Sequence, residues 1–122
     1  MRVSGMGGRV LFVIVSGPSE VEKARQALRI ARNIAKEKFA DDVRMLFVGP
    51  GTALLDPSNP HYPLVEHYLK ALSELKVYVA VCAGNAKVYN LEEKIDRQLV
   101  IMDDSTAVLA EAVAQGYVIV TF

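Results

Sequence analysis

A chain of 122 residues is the size of one domain, and 52% apolar residues supply its core with apolar surface to spare. Its 14 acidic and 14 basic residues cancel, which argues against a nucleic-acid footprint. The single cysteine excludes an internal disulfide and a four-cysteine zinc site, and no apolar run approaches the roughly 20 residues of a membrane span. Surplus apolar surface points to a homo-oligomer. Residues 1–8 lack the apolar h-region of a secretory signal and read as a flexible lead-in to one domain over residues 9–122. Together with the lone cysteine this predicts a reducing, cytoplasmic setting.

Arg9 to Ser16 is a continuous β-branched and aromatic run, the pattern of a strand covered on both faces. Gly17-Pro18-Ser19 stops it, and Ser19 is placed to cap a helix running to about Phe39. Val21, Ala24, Leu28, Ala31 and Ala35 form that helix's apolar face, with Arg25, Arg29, Arg32 and Lys36 on a solvated one. Val43 to Val48 is a second buried strand, broken by Gly49-Pro50-Gly51. A loop or short helix spans Thr52 to Pro60, and helical spacing resumes from His61 to Leu75. Val77 to Val81 is the third strand, followed by a Cys82-Ala83-Gly84-Asn85 turn and a short helix or loop to about Arg97. Gln98 to Met102 is a short fourth strand, and Asp103-Asp104-Ser105 caps a helix from Thr106 to Gln115, ended by Gly116. Tyr117 to Thr121 closes the sheet. Strands alternating with helices predict an α/β fold, with a mostly parallel five-stranded sheet and helices on both faces.

In open parallel sheets, ligands gather beyond the carboxyl ends of the strands. Three segments fall there: Gly17 to Ser19, Gly49 to Thr52, and Cys82 to Asn85. Cys82 is the leading candidate. Free backbone N–H groups of a turn, and a cation such as Lys87, lower a thiol pKa, while Gly84 admits close approach. The competing reading is a small buried hydrophobe. The glycine segments carry neither the phosphate-loop nor the dinucleotide fingerprint, so Gly17, Ser19, Gly49 and Gly51 read as supporting turn residues. His61 and His67 are six apart and do not match a helical metal pair. Asp103 and Asp104 read as caps, and Tyr78 and Tyr89 as packing or interface aromatics. No metal and no cofactor is expected.

Three stretches resemble the DsrE/DsrF-like family of small sulfur-relay proteins: Leu46 to Leu55, Leu75 to Ala86, and Ala114 to Phe122. The resemblance covers roughly Arg9 to Phe122. It implies a three-layer α/β/α domain, flavodoxin-like in general layout, assembled as trimers or hexamers. It also implies a persulfide carried in transit on Cys82, exchanged with donor and acceptor proteins, with Gly84, Asn85 and Lys87 in support. Lys87 is the one base close behind the cysteine, and Asn90 stands where the family places a glycine; Asn is the next-best residue for a left-handed backbone. Two other readings remain open: a non-enzymatic oligomeric binding or assembly module with a structural Cys82, and a nucleotide- or flavin-binding α/β protein. Whether sulfur relay here amounts to sulfurtransferase catalysis is also open.

Overall fold

The computed structural model describes residues 7–122, so most of the expected lead-in lies outside the described residues. Five strands alternate with helices: β1 Arg9–Ile14, α1 Val21–Glu37, β2 Asp42–Phe47, α2 Tyr62–Glu74, β3 Tyr78–Cys82, α3 Ala83–Val88, β4 Ile101–Asp103, α4 Ser105–Ala114 and β5 Val118–Thr121. Short 3-10 segments, Pro18–Glu20 and Gly49–Leu55, follow β1 and β2. All strand pairs are parallel, in the order β4-β3-β2-β1-β5.

That order follows from side-chain alternation and crossover handedness. Phe12, Ile14, Met45, Phe47, Val79 and Val81 point to one face and pack with α1, α2 and α3. Leu11, Val13, Leu46 and Ala80 point to the other and meet Val108 and Ala112 of α4. From β1 to β4 the chain steps across the sheet in one direction, so right-handed crossovers place three helices on one face. The step from β4 back to β5, beside β1, reverses direction and puts α4 on the opposite face.

With α4 alone on its face, that side of the sheet admits polar residues. Arg44 of β2 lies there, its guanidinium 4.7 Å from the Tyr117 ring and 5.7 Å from the Tyr78 ring. It also pairs with Asp42 at 3.0 Å and Glu111 at 3.6 Å.

Most element boundaries agree with the sequence reading to within one to three residues. Two local differences have physical causes. Ser19 is not the cap of α1: it lies inside the 3-10 turn, and Glu20 occupies the N-cap position without a side-chain hydrogen bond. Pro18 fixes a φ that suits a helical first turn, so the chain begins coiling before α1 proper. Cys82 to Asn85 is not a free turn either, because α3 begins at Ala83 directly after the strand. The C-terminus of α4 follows expectation. Gly116 takes φ 78°, and the amides of Gly116 and Tyr117 bond the carbonyls of Val113 and Ala112 in a Schellman arrangement.

Candidate functional site

The reversal in chain direction creates a crevice. The segment leaving β3 turns to α3 on one face, and the segment leaving the adjacent β4 turns to α4 on the other. Ligands of open α/β sheets bind at such a switch point, outside the carboxyl ends of the strands. Cys82 is the last residue of β3 and pairs in register with Asp103, the last residue of β4. The only cysteine of the chain therefore stands at the crevice, half-buried rather than in the core.

Cys82 is also the N-cap residue of α3. Its Sγ accepts a hydrogen bond from the Ser105 hydroxyl at 3.4 Å. Burial pushes the thiol pKa up. The Ser105 hydroxyl on the sulfur, together with the nearby backbone N–H groups of Asn85, Gly84 and Ser105, outweighs it, and the net shift is downward. All of these groups are neutral. They come from the first turns of two helices that approach the sulfur from opposite faces of the sheet.

Asn85 has a second task. Its Oδ1 accepts the Gly49 amide at 2.8 Å, which ties the segment after β2 to the start of α3. Gly49 adopts φ 53° there. Gly51 and Gly17 are set by close approach. A Cβ at Gly51 would fall 2.2 Å from the Ile14 carbonyl oxygen, and one at Gly17 would fall 2.7 Å from that of Pro50. These glycines lock the first two carboxyl-end segments together, and the Gly49 amide is already engaged by Asn85. Gly84 leaves open space, with the cysteine sulfur 3.9 Å from an added Cβ.

Other sequence candidates sit apart from the thiol. Lys87 lies exposed in the last turn of α3 and is not among the leading groups that shift the thiol pKa. Ser19 is exposed on its 3-10 turn. His61 and His67 are exposed on α2 and at its N-cap. Asn90 takes φ 57°, so the left-handed position after α3 is filled by the residue best able to replace glycine. The residue the sequence reading missed is Ser105. It was read as part of a capping run, and Asp104 does cap α4 by accepting the Thr106 and Ala107 amides. The available signal was strand adjacency. If β4 pairs with β3, the residue opening the next helix arrives beside Cys82.

The fold and crevice define a parallel α/β protein with a hydrogen-bonded cysteine at its switch point. The family model of the DsrE/DsrF-like family matches residues 8–122, and the chain belongs to that family. No curated protein matches it. Solved structures of the same fold include the ychN protein of E. coli, 18% identical, with a TM-score of 0.75 over 96% of this chain and 100% of that one. A conserved protein of unknown function from Bacteroides thetaiotaomicron is 10% identical, with a TM-score of 0.76 over 93% and 94% of the two chains. A third, also of unknown function, from Methanobacterium thermoautotrophicum, is 13% identical, with a TM-score of 0.70 over 94% and 99%. At these identities the likeness establishes the fold. Among the described residues, no helix is long and apolar enough to cross a membrane.

Proposed function

We propose that the protein is a sulfur carrier that relays sulfane sulfur through Cys82. The observation that carries this reading is the half-buried thiol at the switch point, with the Ser105 hydroxyl donating to its sulfur and the first turns of α3 and α4 beside it. A depressed pKa raises the thiolate fraction near neutrality, and the thiolate is the nucleophile of sulfur exchange. The Cys82 thiolate attacks the outer sulfur of a donor persulfide. The donor's S–S bond breaks, the donor leaves as a thiolate, and Cys82 retains the outer sulfur with its proton as a persulfide. A thiolate on an acceptor protein then attacks that outer sulfur, takes it, and releases the Cys82 thiolate. The exchange needs no external oxidant or reductant. With no second cysteine in the chain, the accepting thiol belongs to another molecule. Neutral donors stabilise the thiolate without placing a cation beside the sulfur, so docking charge must come from elsewhere on the surface or from the partner.

The exposed apolar residues support an assembled state. Val88 is 76% exposed, and Val113 and Val118 are each 65% exposed. A homo-oligomer, trimer or hexamer, would cover such residues, and light scattering on the purified protein reads its mass.

The test of the carrier reading is direct. The protein is incubated with a small persulfide donor and its intact mass is measured. One added sulfur atom is expected, absent in Cys82→Ser and removed by a thiol acceptor. A folded protein whose Cys82 resists both sulfur loading and a small alkylating reagent refutes the reading.

A further inference from the structure

Three consecutive residues, Asp103, Asp104 and Ser105, join β4 to α4, and each makes a separate contact. Asp103 Oδ1 accepts the Asp104 amide at 2.8 Å. Asp104 Oδ1 accepts the Thr106 amide at 2.9 Å and caps α4. The Ser105 hydroxyl reaches the Cys82 sulfur at 3.4 Å. The other oxygen of Asp103, Oδ2, accepts the Tyr78 hydroxyl at 2.5 Å. Tyr78 opens β3, the strand that ends at Cys82, so the bond spans from the start of that strand to the end of its neighbour.

We infer that Tyr78 is a positioning residue for the Cys82 thiolate, acting through Asp103 on the turn that presents Ser105. The brace fixes the orientation of the Asp103 carboxylate. That carboxylate fixes the Asp104 amide, and with it the first turn of α4. The Ser105 hydroxyl donates to the sulfur from the β4 side of the crevice. The backbone N–H groups of Gly84 and Asn85, which also act to lower the thiol pKa, sit on the same chain segment as Cys82 and need no brace.

The brace holds over a wide pH range. Burial, then the bond to Asp103, pushes Tyr78 up to about 12, so its hydroxyl remains a donor. The charged groups acting on Tyr78 are Asp103, Arg44 and Glu111. The Tyr78 bond and the Asp104 amide hold Asp103 below the usual carboxylate range, so it remains an acceptor at neutral pH. The groups that lower the Cys82 pKa carry no formal charge, so the thiol reports on the placement of neutral donors.

Tyr78→Phe is the informative change. It removes one hydroxyl, keeps the ring against Arg44, and leaves the Asp103 charge in place. Asp103→Asn is less clean, because removing a negative charge near the thiol opposes the effect of losing the brace. The inference rests on the carrier reading for its significance, but its measurement does not. The second-order rate of Cys82 alkylation by iodoacetamide is followed against pH in the intact protein. Tyr78→Phe is expected to move the midpoint upward and to slow alkylation at pH 7 by about threefold, a fraction of the effect of losing a charge-assisted hydrogen bond outright. Tyr117→Phe is the matched control. That hydroxyl donates to Asp42, a different carboxylate, and its loss is expected to lower the melting temperature and leave the alkylation midpoint unmoved. A Tyr78→Phe midpoint equal to wild type overturns the inference, as does an equal shift in Tyr117→Phe. Failure of sulfur loading with the midpoint shifted as expected refutes the carrier reading alone. Normal loading with no shift refutes the positioning role alone.

Discussion

Replacing Gly51 by alanine tests how the carboxyl-end segments are held together. The new Cβ would lie 2.2 Å from the Ile14 carbonyl oxygen, where ordinary contact begins at 3.4 Å. Ile14 is fully buried in β1, which is paired on both sides by β2 and β5, so it cannot withdraw. The same carbonyl accepts the Val48 amide at 3.1 Å. The Gly49–Leu55 segment must therefore move by roughly 1 Å, a displacement of the kind that makes overpacking cost about 1–3 kcal/mol. Moving it also strains the Val48–Ile14 and Gly49–Asn85 bonds, each worth about 1 kcal/mol net. The sum is about 3–5 kcal/mol, and at about 3–5 °C per kcal/mol for a domain of this length the melting temperature falls by about 10 °C or more. Thermal unfolding followed by circular dichroism gives the value. A variant melting within about 2 °C of wild type would show that the segment yields freely, and the packing argument would fail.

Gly116→Ala isolates a different cause. There φ is 78° and nothing lies within 4 Å of an added Cβ, so the cost is backbone strain alone, about 1 kcal/mol, and Gly116→Asn should recover much of it in the same melt. Asp104→Ala removes the α4 cap, with an expected loss of about 1 kcal/mol in urea unfolding. The lowered Cys82 pKa makes stability depend on pH. The native state binds fewer protons than the unfolded chain between the two thiol pKa values, so wild type should gain stability relative to Cys82→Ser as pH rises toward and through the ordinary thiol pKa. That contribution is fully present above the unfolded value and disappears as pH falls through the folded one. Paired melts from pH 6 to pH 10 check the sign, and a gain on acidification would contradict it.

Much of the architecture was legible along the chain. Val10 to Val15 has no polar residue and Val43 to Val48 has only Arg44, so neither shows the regular alternation of a half-solvated strand, the pattern expected where helices cover both faces. Gly116 and Asp104 marked helix ends because backbone conformation and capping are decided within a few residues. The position of Cys82 at a strand end was readable for the same local reason. Its environment was not. Lys87, five residues away, lies exposed in the last turn of α3, while Ser105, 23 residues away, arrives at the sulfur. Sequence distance says little about which strands pair, and pairing decides which helix start faces which strand end. The roles of Gly17 and Gly51 were hidden in the same way, because the atoms they accommodate belong to other segments. A parallel α/β protein with a single cysteine at the end of a buried strand is legible from residue order alone. That the cysteine is half-buried, with the Ser105 hydroxyl on its sulfur and the first turns of α3 and α4 on either side of it, is settled by tertiary packing. The reason is that the β4-to-β5 reversal, which sets α3 and α4 on opposite sides of the thiol, is a property of strand order and not of any one segment.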